Sequence, residues 1–164
     1  MKSILSTAFV LSFMLSLSAQ EFEVPKYQLK KAEDFAQYEK DVVGAVNWLM
    51  DTPVDAQPDK HKDVNKFLVE WISGSPNVSI EIKGEIVTFM SPNADLLVIY
   101  MGGWTKYVLE TKDTDKQKGT LNGLESVIQF YQKNKDKLKR DKNVEKYIDM
   151  KEKGKLEEFV KKHA

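Results

Sequence analysis

Apolar positions recur at helical spacing along most of the chain, and the elements follow from where that pattern stops. Over Leu29–Met50, Phe35, Tyr38, Val42, Val46 and Leu49 are separated by three or four residues, one face of an α-helix that Thr52–Pro53 closes. The stretch "TPVDAQPDK" that follows is rich in turn formers, and Asp59 is placed to cap a second helix. Val64, Phe67, Leu68, Trp71 and Ile72 give that helix a wide apolar face, and Gly74 ends it. Further on, a helix from Lys118 to Asn134 carries Leu121, Leu124, Val127, Ile128 and Tyr131 on one side. Val144, Tyr147 and Ile148, then Leu156, Phe159 and Val160, mark two short amphipathic helices split at Gly154, the first capped by Asp141.

Two periods compete over residues 77–90, "NVSIEIKGEIVTFM". Val78, Ile80 and Ile82 alternate as in a strand, and Lys83–Gly84 can turn a hairpin. Val78, Ile82, Ile86 and Phe89 are equally well spaced for a helix. Ser75–Pro76, repeated at Ser91–Pro92, has the form of an N-cap followed by a first helical residue. A helix is therefore expected here, with a small β-hairpin at 77–90 in an α+β fold as the alternative.

From Asn93 to Thr111 the pattern changes again, because Leu96 to Met101 is apolar on every side. Such a helix belongs in the middle of a bundle. Two glycines interrupt it, in "IYMGGWTKYVL", although glycine costs a helix about 1 kcal/mol relative to alanine. One reading of Gly102 and Gly103 is close approach by another helix, with Trp104 filling space beside the crossing. The other is a kink that gathers Tyr100, Trp104 and Tyr107 around a pocket. Either way the pattern predicts an all-α fold, a single bundle of six or seven helices around a buried central helix, over residues 20–164.

The first residues lie outside that pattern. "MKSILSTAFVLSFMLSLSAQ" places Lys2 before an apolar run from Ile4 to Leu17 and then the small pair Ser18–Ala19. This is the arrangement of a secretory signal peptide at residues 1–19, cleaved after Ala19, and too short and serine-interrupted for a membrane span. No membrane span is expected after cleavage. The chain has no cysteine, so neither a disulfide framework nor a lipid-modified cysteine is available. An exported, cysteine-free chain points to a periplasmic or secreted bacterial protein.

Charge adds an asymmetry. Lys and Arg number 25 against 25 Asp and Glu overall, yet residues 20–100 hold 8 basic and 14 acidic groups while residues 101–164 hold 16 and 11. That imbalance could orient a charged partner. Nucleic acid is not the expected partner, because acids interleave the basic run from Lys133 to Lys155.

Candidate chemistry is sparse. The two histidines, His61 in "PDKHKD" and the penultimate His163, are expected to be solvated, and neither has companions at the spacing a zinc site needs. No phosphate loop, nucleophile elbow or calcium loop occurs. No catalytic residue, metal ligand or cofactor is therefore nominated, and the protein is expected not to be an enzyme. Glu70, Glu110 and Glu125 border apolar faces, which leaves a carboxylate-dependent hydrolase as the open enzyme class. Aromatic residues are the stronger signal, since Trp48, Trp71, Tyr100, Trp104 and Tyr107 could anchor an interface or line an apolar cleft. The candidate binding set is Trp71, Tyr100, Gly102, Gly103, Trp104 and Tyr107.

In residues 93–110, "NADLLVIYMGGWTKYVLE", and 119–160, "GTLNGLESVIQFYQKNKDKLKRDKNVEKYIDMKEKGKLEEFV", the chain resembles periplasmic helical immunity proteins that protect bacteria from type VI secreted amidases. There a glycine-containing central helix precedes a helix ending in a "Y…N…L" stretch and a closing amphipathic helix. Those proteins usually carry paired cysteines; this chain has none, and no toxin-contacting residue is carried over. The expected function is a helical interaction module that binds another protein, with immunity or inhibition as its special form. Carriage of a small apolar ligand between the helices is the alternative.

Overall fold

A computed structural model describes residues 21–164 apart from Met90 and Pro92. The signal peptide expected at residues 1–19 lies outside the described residues. Those described form an all-α bundle of seven helices: α1 (Ala32–Gln37), α2 (Glu39–Asp51), α3 (Pro58–Gly74), α4 (Asp95–Thr111), α5 (Lys116–Lys133), α6 (Lys142–Glu152) and α7 (Leu156–His163). Central α4 packs against α2, α3 and α5, and the α6–α7 pair docks on α5.

All but one of the boundaries have a local cause. The periodicity from Leu29 to Met50 predicts one helix, whereas the chain breaks at Tyr38, whose φ of −99° and ψ of 5° lie in the bridge region. Tyr38 sits edge-on to Tyr27 and Phe67, and its hydroxyl donates to the Lys26 carbonyl at 3.3 Å, so tertiary contacts fix the break. Helix α1 starts only at Ala32 because the Asp34 carboxylate accepts from the backbone N–H groups of Lys30 and Lys31, both at 2.9 Å. Left-handed Gln57 turns the chain into Pro58 at the head of α3, and left-handed Lys112 ends α4. Asp115 caps α5 and Asp141 caps α6. Gly154, at φ +67°, makes the break between α6 and α7 where another residue would be strained.

The described residues between 75 and 94 correct both readings of the ambiguous stretch, for they form neither a helix nor a hairpin. Ser75–Pro76 sits just past the end of α3, where a proline stops a helix as effectively as it starts one. The Ser75 hydroxyl accepts from the Asn77 N–H, which begins a turn. Residues 78–83 then have no regular secondary structure, and Ile86 and Val87 both donate to the Lys83 carbonyl. Val78, Ile86, Val87 and Phe89 are buried, a spacing that suits neither period. Side chains from elsewhere replace a regular ladder. The Tyr147 hydroxyl donates to the Ile86 carbonyl at 2.8 Å, and the Asn143 amide donates to the Thr88 carbonyl at 2.9 Å. Asn93 exchanges two 3.0 Å hydrogen bonds with the backbone of Lys139.

Before α1, residues 21–30 lie as a strap without regular secondary structure over α2 and α3. Phe22 packs over Gly44, where an added Cβ would meet its ring at 3.2 Å. Tyr27 lies 4.9 Å from the Phe67 ring, and its hydroxyl donates to Glu70 at 2.6 Å. Among the described residues, no helix is long and apolar enough to cross a membrane.

Candidate functional site

The double glycine marks a helix crossing, and its two members face different neighbours. A Cβ on Gly102 would meet Val46 of α2 at 3.2 Å. One on Gly103 would run into Ser126 of α5 and stand 2.9 Å from the Asn122 carbonyl oxygen. Helix α5 answers with glycines of its own: the Trp104 indole rests on Gly119, and the Tyr100 ring rests on Gly123, 2.6 Å from where a Cβ would stand. Large side chains on one helix thus seat in gaps on the other, which brings the backbones close. The sequence reading missed Gly119 and Gly123, although their four-residue spacing in "GTLNG" is a legible signal.

Of the six candidate binding residues, Tyr100, Gly103 and Trp104 meet at this crossing, Gly102 faces Val46 of α2, and Trp71 and Tyr107 lie elsewhere. Trp71, Tyr100 and Trp104 are at most 1 % exposed. The Trp71 indole donates to the Phe35 carbonyl at 3.0 Å, tying α3 to α1. Tyr100 and Trp104 pack edge to face at 6.0 Å. Burial pushes the Tyr100 hydroxyl up to about 12. Thr120 approaches that hydroxyl without hydrogen-bond geometry, so it has no partner.

Tyr107 is half-buried and donates to Asp113 Oδ2 at 2.6 Å. Lys118 donates to the same oxygen at 2.7 Å and, with Tyr107, holds the Asp113 carboxyl well below its ordinary range. Burial first, and then Asp113, raises the Tyr107 phenol. This triad fastens the turn from α4 to α5.

The histidines correct the expectation of solvated rings. His61 is buried, 4.8 Å from the Trp48 ring, with Nε2 within 3.2 Å of the Pro53 carbonyl oxygen. His163 stacks on Phe159 at 4.4 Å, and its Nδ1 lies 2.8 Å from the Phe159 carbonyl oxygen. Apolar packing of α3 and α7 accounts for both, which "PDKHKD" and a chain end conceal. The three edge carboxylates are separate: Glu70 accepts from Tyr27, Glu110 lies 3.9 Å from Lys106, and Glu125 pairs with Lys151 at 2.9 Å. Asp141 is the buried carboxylate, at 1 % exposure; its Oδ1 accepts from Asn143 and Val144, and its Oδ2 has no partner.

The larger concavity lies away from these aromatics, between the strap and α2. It measures about 720 Å³, with Phe22, Gly44 and Trp48 in its lining, the carboxylates Glu21, Glu23, Asp41 and Asp51 around it and one cation, Lys40, among them. Lys60 stands at its margin, 5.4 Å above the Trp48 ring and paired with Glu23 at 2.9 Å. Asp51 lies 3.4 Å from Lys133, whereas Glu21 and Asp41 have no cationic partner among the described residues. A smaller hollow of about 170 Å³ lies between Leu49, His61 and Phe130. Of the lining of the larger cleft, only Trp48 belonged to the aromatic residues singled out from sequence. Comparison with family models, with curated proteins and with solved structures returns no match.

Proposed function

We propose that the protein is a helical interaction module, acting by binding another protein at the cleft between the strap and α2. The supporting observation is the pairing of an apolar wall, Phe22 and Trp48, with the unpaired carboxylates Glu21 and Asp41 in one open concavity. Aromatic anchors beside acids suit a partner that inserts a lysine or arginine side chain, whose stem packs on the rings while its charge meets the carboxylates. An immunity or inhibitor role is one form of this reading, with an enzyme as the bound partner; the cleft lies in the first half of the chain, outside the residues that resemble immunity proteins. Export to the periplasm or beyond is part of the same proposal. Carriage of an apolar ligand draws less support, because Trp71, Tyr100 and Trp104 are packed against protein.

The test compares the parent protein with Asp41→Lys and Glu21→Lys as baits in periplasmic extract. A partner retained by the parent and lost from both variants, with unchanged thermal melts, is the expected result. Equal retention by all three places binding elsewhere and removes the cleft from the proposal.

A further inference from the structure

Trp48 and Glu23 both line the cleft, and a lysine of the protein itself already engages the two of them. Lys60 stands in the first turn of α3, where the positive end of the helix disfavours a cation. Its side chain is nevertheless only 16 % exposed, although lysine is seldom withdrawn from water. The ammonium lies 5.4 Å from the centre of the Trp48 ring and donates to Glu23 Oε1 at 2.9 Å. Cation–π attraction to the indole and an ion pair with the carboxylate thus hold a primary ammonium whose stem is drawn out of solvent. With His61 against the same indole at 4.8 Å, Trp48 is left 8 % exposed, so an arriving side chain finds this ring covered. Release is within reach, because the Glu23 side chain is 76 % exposed and its pair with Lys60 sits at an open rim where water and salt compete.

We propose that Lys60 is an internal stand-in for the cation of the partner. It fills the seat between Trp48 and Glu23 in the free protein, and the partner binds by exchanging a lysine ammonium of its own into that seat. The inference rests on the cleft reading above and adds to it which cation enters, where it goes and what it displaces. Its present occupant defines the chemistry of the seat: one carboxylate oxygen beside one ring suits the compact charge of an ammonium, whereas the planar guanidinium of arginine is best matched by a bidentate carboxylate. Once displaced, Lys60 returns to water on a flexible four-carbon stem, beside the exposed Pro58 and Asp59. A tethered competitor is present at high effective concentration and lowers the apparent affinity by the fraction of molecules whose seat is empty. An isolated lysine is thereby excluded, and a segment that makes further contacts along the cleft is admitted.

Tetralysine is the probe, titrated at low salt into isotope-labelled protein. The ε-methylene proton signals of Lys60 are expected upfield in the free protein, shifted by the ring current of Trp48, and at the ordinary lysine position at saturation. Lys60→Met keeps an apolar stem and removes the charge, and it is expected to bind tetralysine about tenfold more tightly than the parent. Lys40→Met removes the same charge from elsewhere in the cleft lining and is expected to tighten binding far less. Equal gains from the two variants reduce the effect to net charge and overturn the proposal. Lys60 signals that stay in place at saturation overturn it too, as does tetralysine that binds none of these proteins. The parent signals decide the matter should Lys60→Met melt early. A partner from periplasmic extract that is lost from Asp41→Lys, alongside unmoved Lys60 signals, overturns the exchange alone and leaves the cleft reading standing. Retention unaffected by Asp41→Lys and Glu21→Lys removes that reading and this inference with it.

Discussion

The indole of Trp104 rests on Gly119 at the place a β-carbon would take, and one turn away on each helix the ring of Tyr100 rests on Gly123. Gly103 faces the same crossing, with the Asn122 carbonyl oxygen 2.9 Å from its would-be Cβ. That neighbour is backbone and has little room to yield. Gly103→Ala is therefore expected to destabilise by about 1–3 kcal/mol through overpacking, more than its helix-propensity gain returns. Gly102→Ala meets only a Val46 methyl at 3.2 Å and is expected to stay within about 1 kcal/mol of the parent. Urea melts of the two variants decide the matter, and equal destabilisation would contradict the assignment of the two glycines to different neighbours.

Tyr100 makes a prediction about alkaline pH. Its phenol is pushed from an ordinary value of 10.0 up to about 12, chiefly by burial, so the folded protein keeps a proton that the unfolded chain releases earlier. The associated stability is complete below about pH 10 and is lost as the pH climbs towards 12. Tyr147 is shifted upward by burial as well. Tyr100→Phe is expected to keep neutral-pH stability within about 1 kcal/mol, because the hydroxyl has no partner, and to flatten part of the alkaline decline. Parent and variant profiles that superimpose between pH 9 and 12 would refute the role of this hydroxyl.

Asn93 holds the irregular segment to the approach of α6 through two hydrogen bonds with Lys139. Asn93→Ala leaves both backbone groups of Lys139 without those partners and is expected to cost about 1–3 kcal/mol. Amide exchange is expected to accelerate at Lys139 and around Ile86 and Val87, while the amides of α4 keep their order of protection. Uniform acceleration over the whole chain would mean that the segment is not a separable unit.

Asp141 caps α6 with one oxygen, and Asp141→Ala is expected to cost about 0.5–2 kcal/mol. Asp141→Asn keeps an accepting oxygen and is expected to lose less. Chemical denaturation of both variants provides the check, and an asparagine variant no better than alanine would argue against capping as the main contribution.

Helix-period stripes made most of the bundle legible in advance, including the buried α4 and the break at Gly154. Residues 77–90 resisted because their order depends on partners far along the chain: Tyr147 and Asn143 supply hydrogen bonds that a local pattern does not encode. The interruption at Tyr38 has the same origin, since Tyr27 and Phe67 hold it from outside the helix. His61 illustrates a further limit. Its charged neighbours Asp59, Lys62 and Asp63 are exposed, while its own position on α3 turns the ring towards Trp48. The cleft was hidden for a comparable reason, because the strap has no periodicity, and Glu21 and Asp41 flank it only after tertiary packing.

The connection from Lys112 to Asp115 makes α4 and α5 neighbours in the chain as well as in space. Closing so short a loop forfeits little entropy, so their crossing is positioned to form early in folding. The strap stands at the opposite extreme, since Tyr27 reaches Glu70 across 43 residues and waits for α3 to exist. Assembly is therefore expected to run from the glycine-lined middle outward, and the cleft of about 720 Å³, walled by the strap, to be completed late.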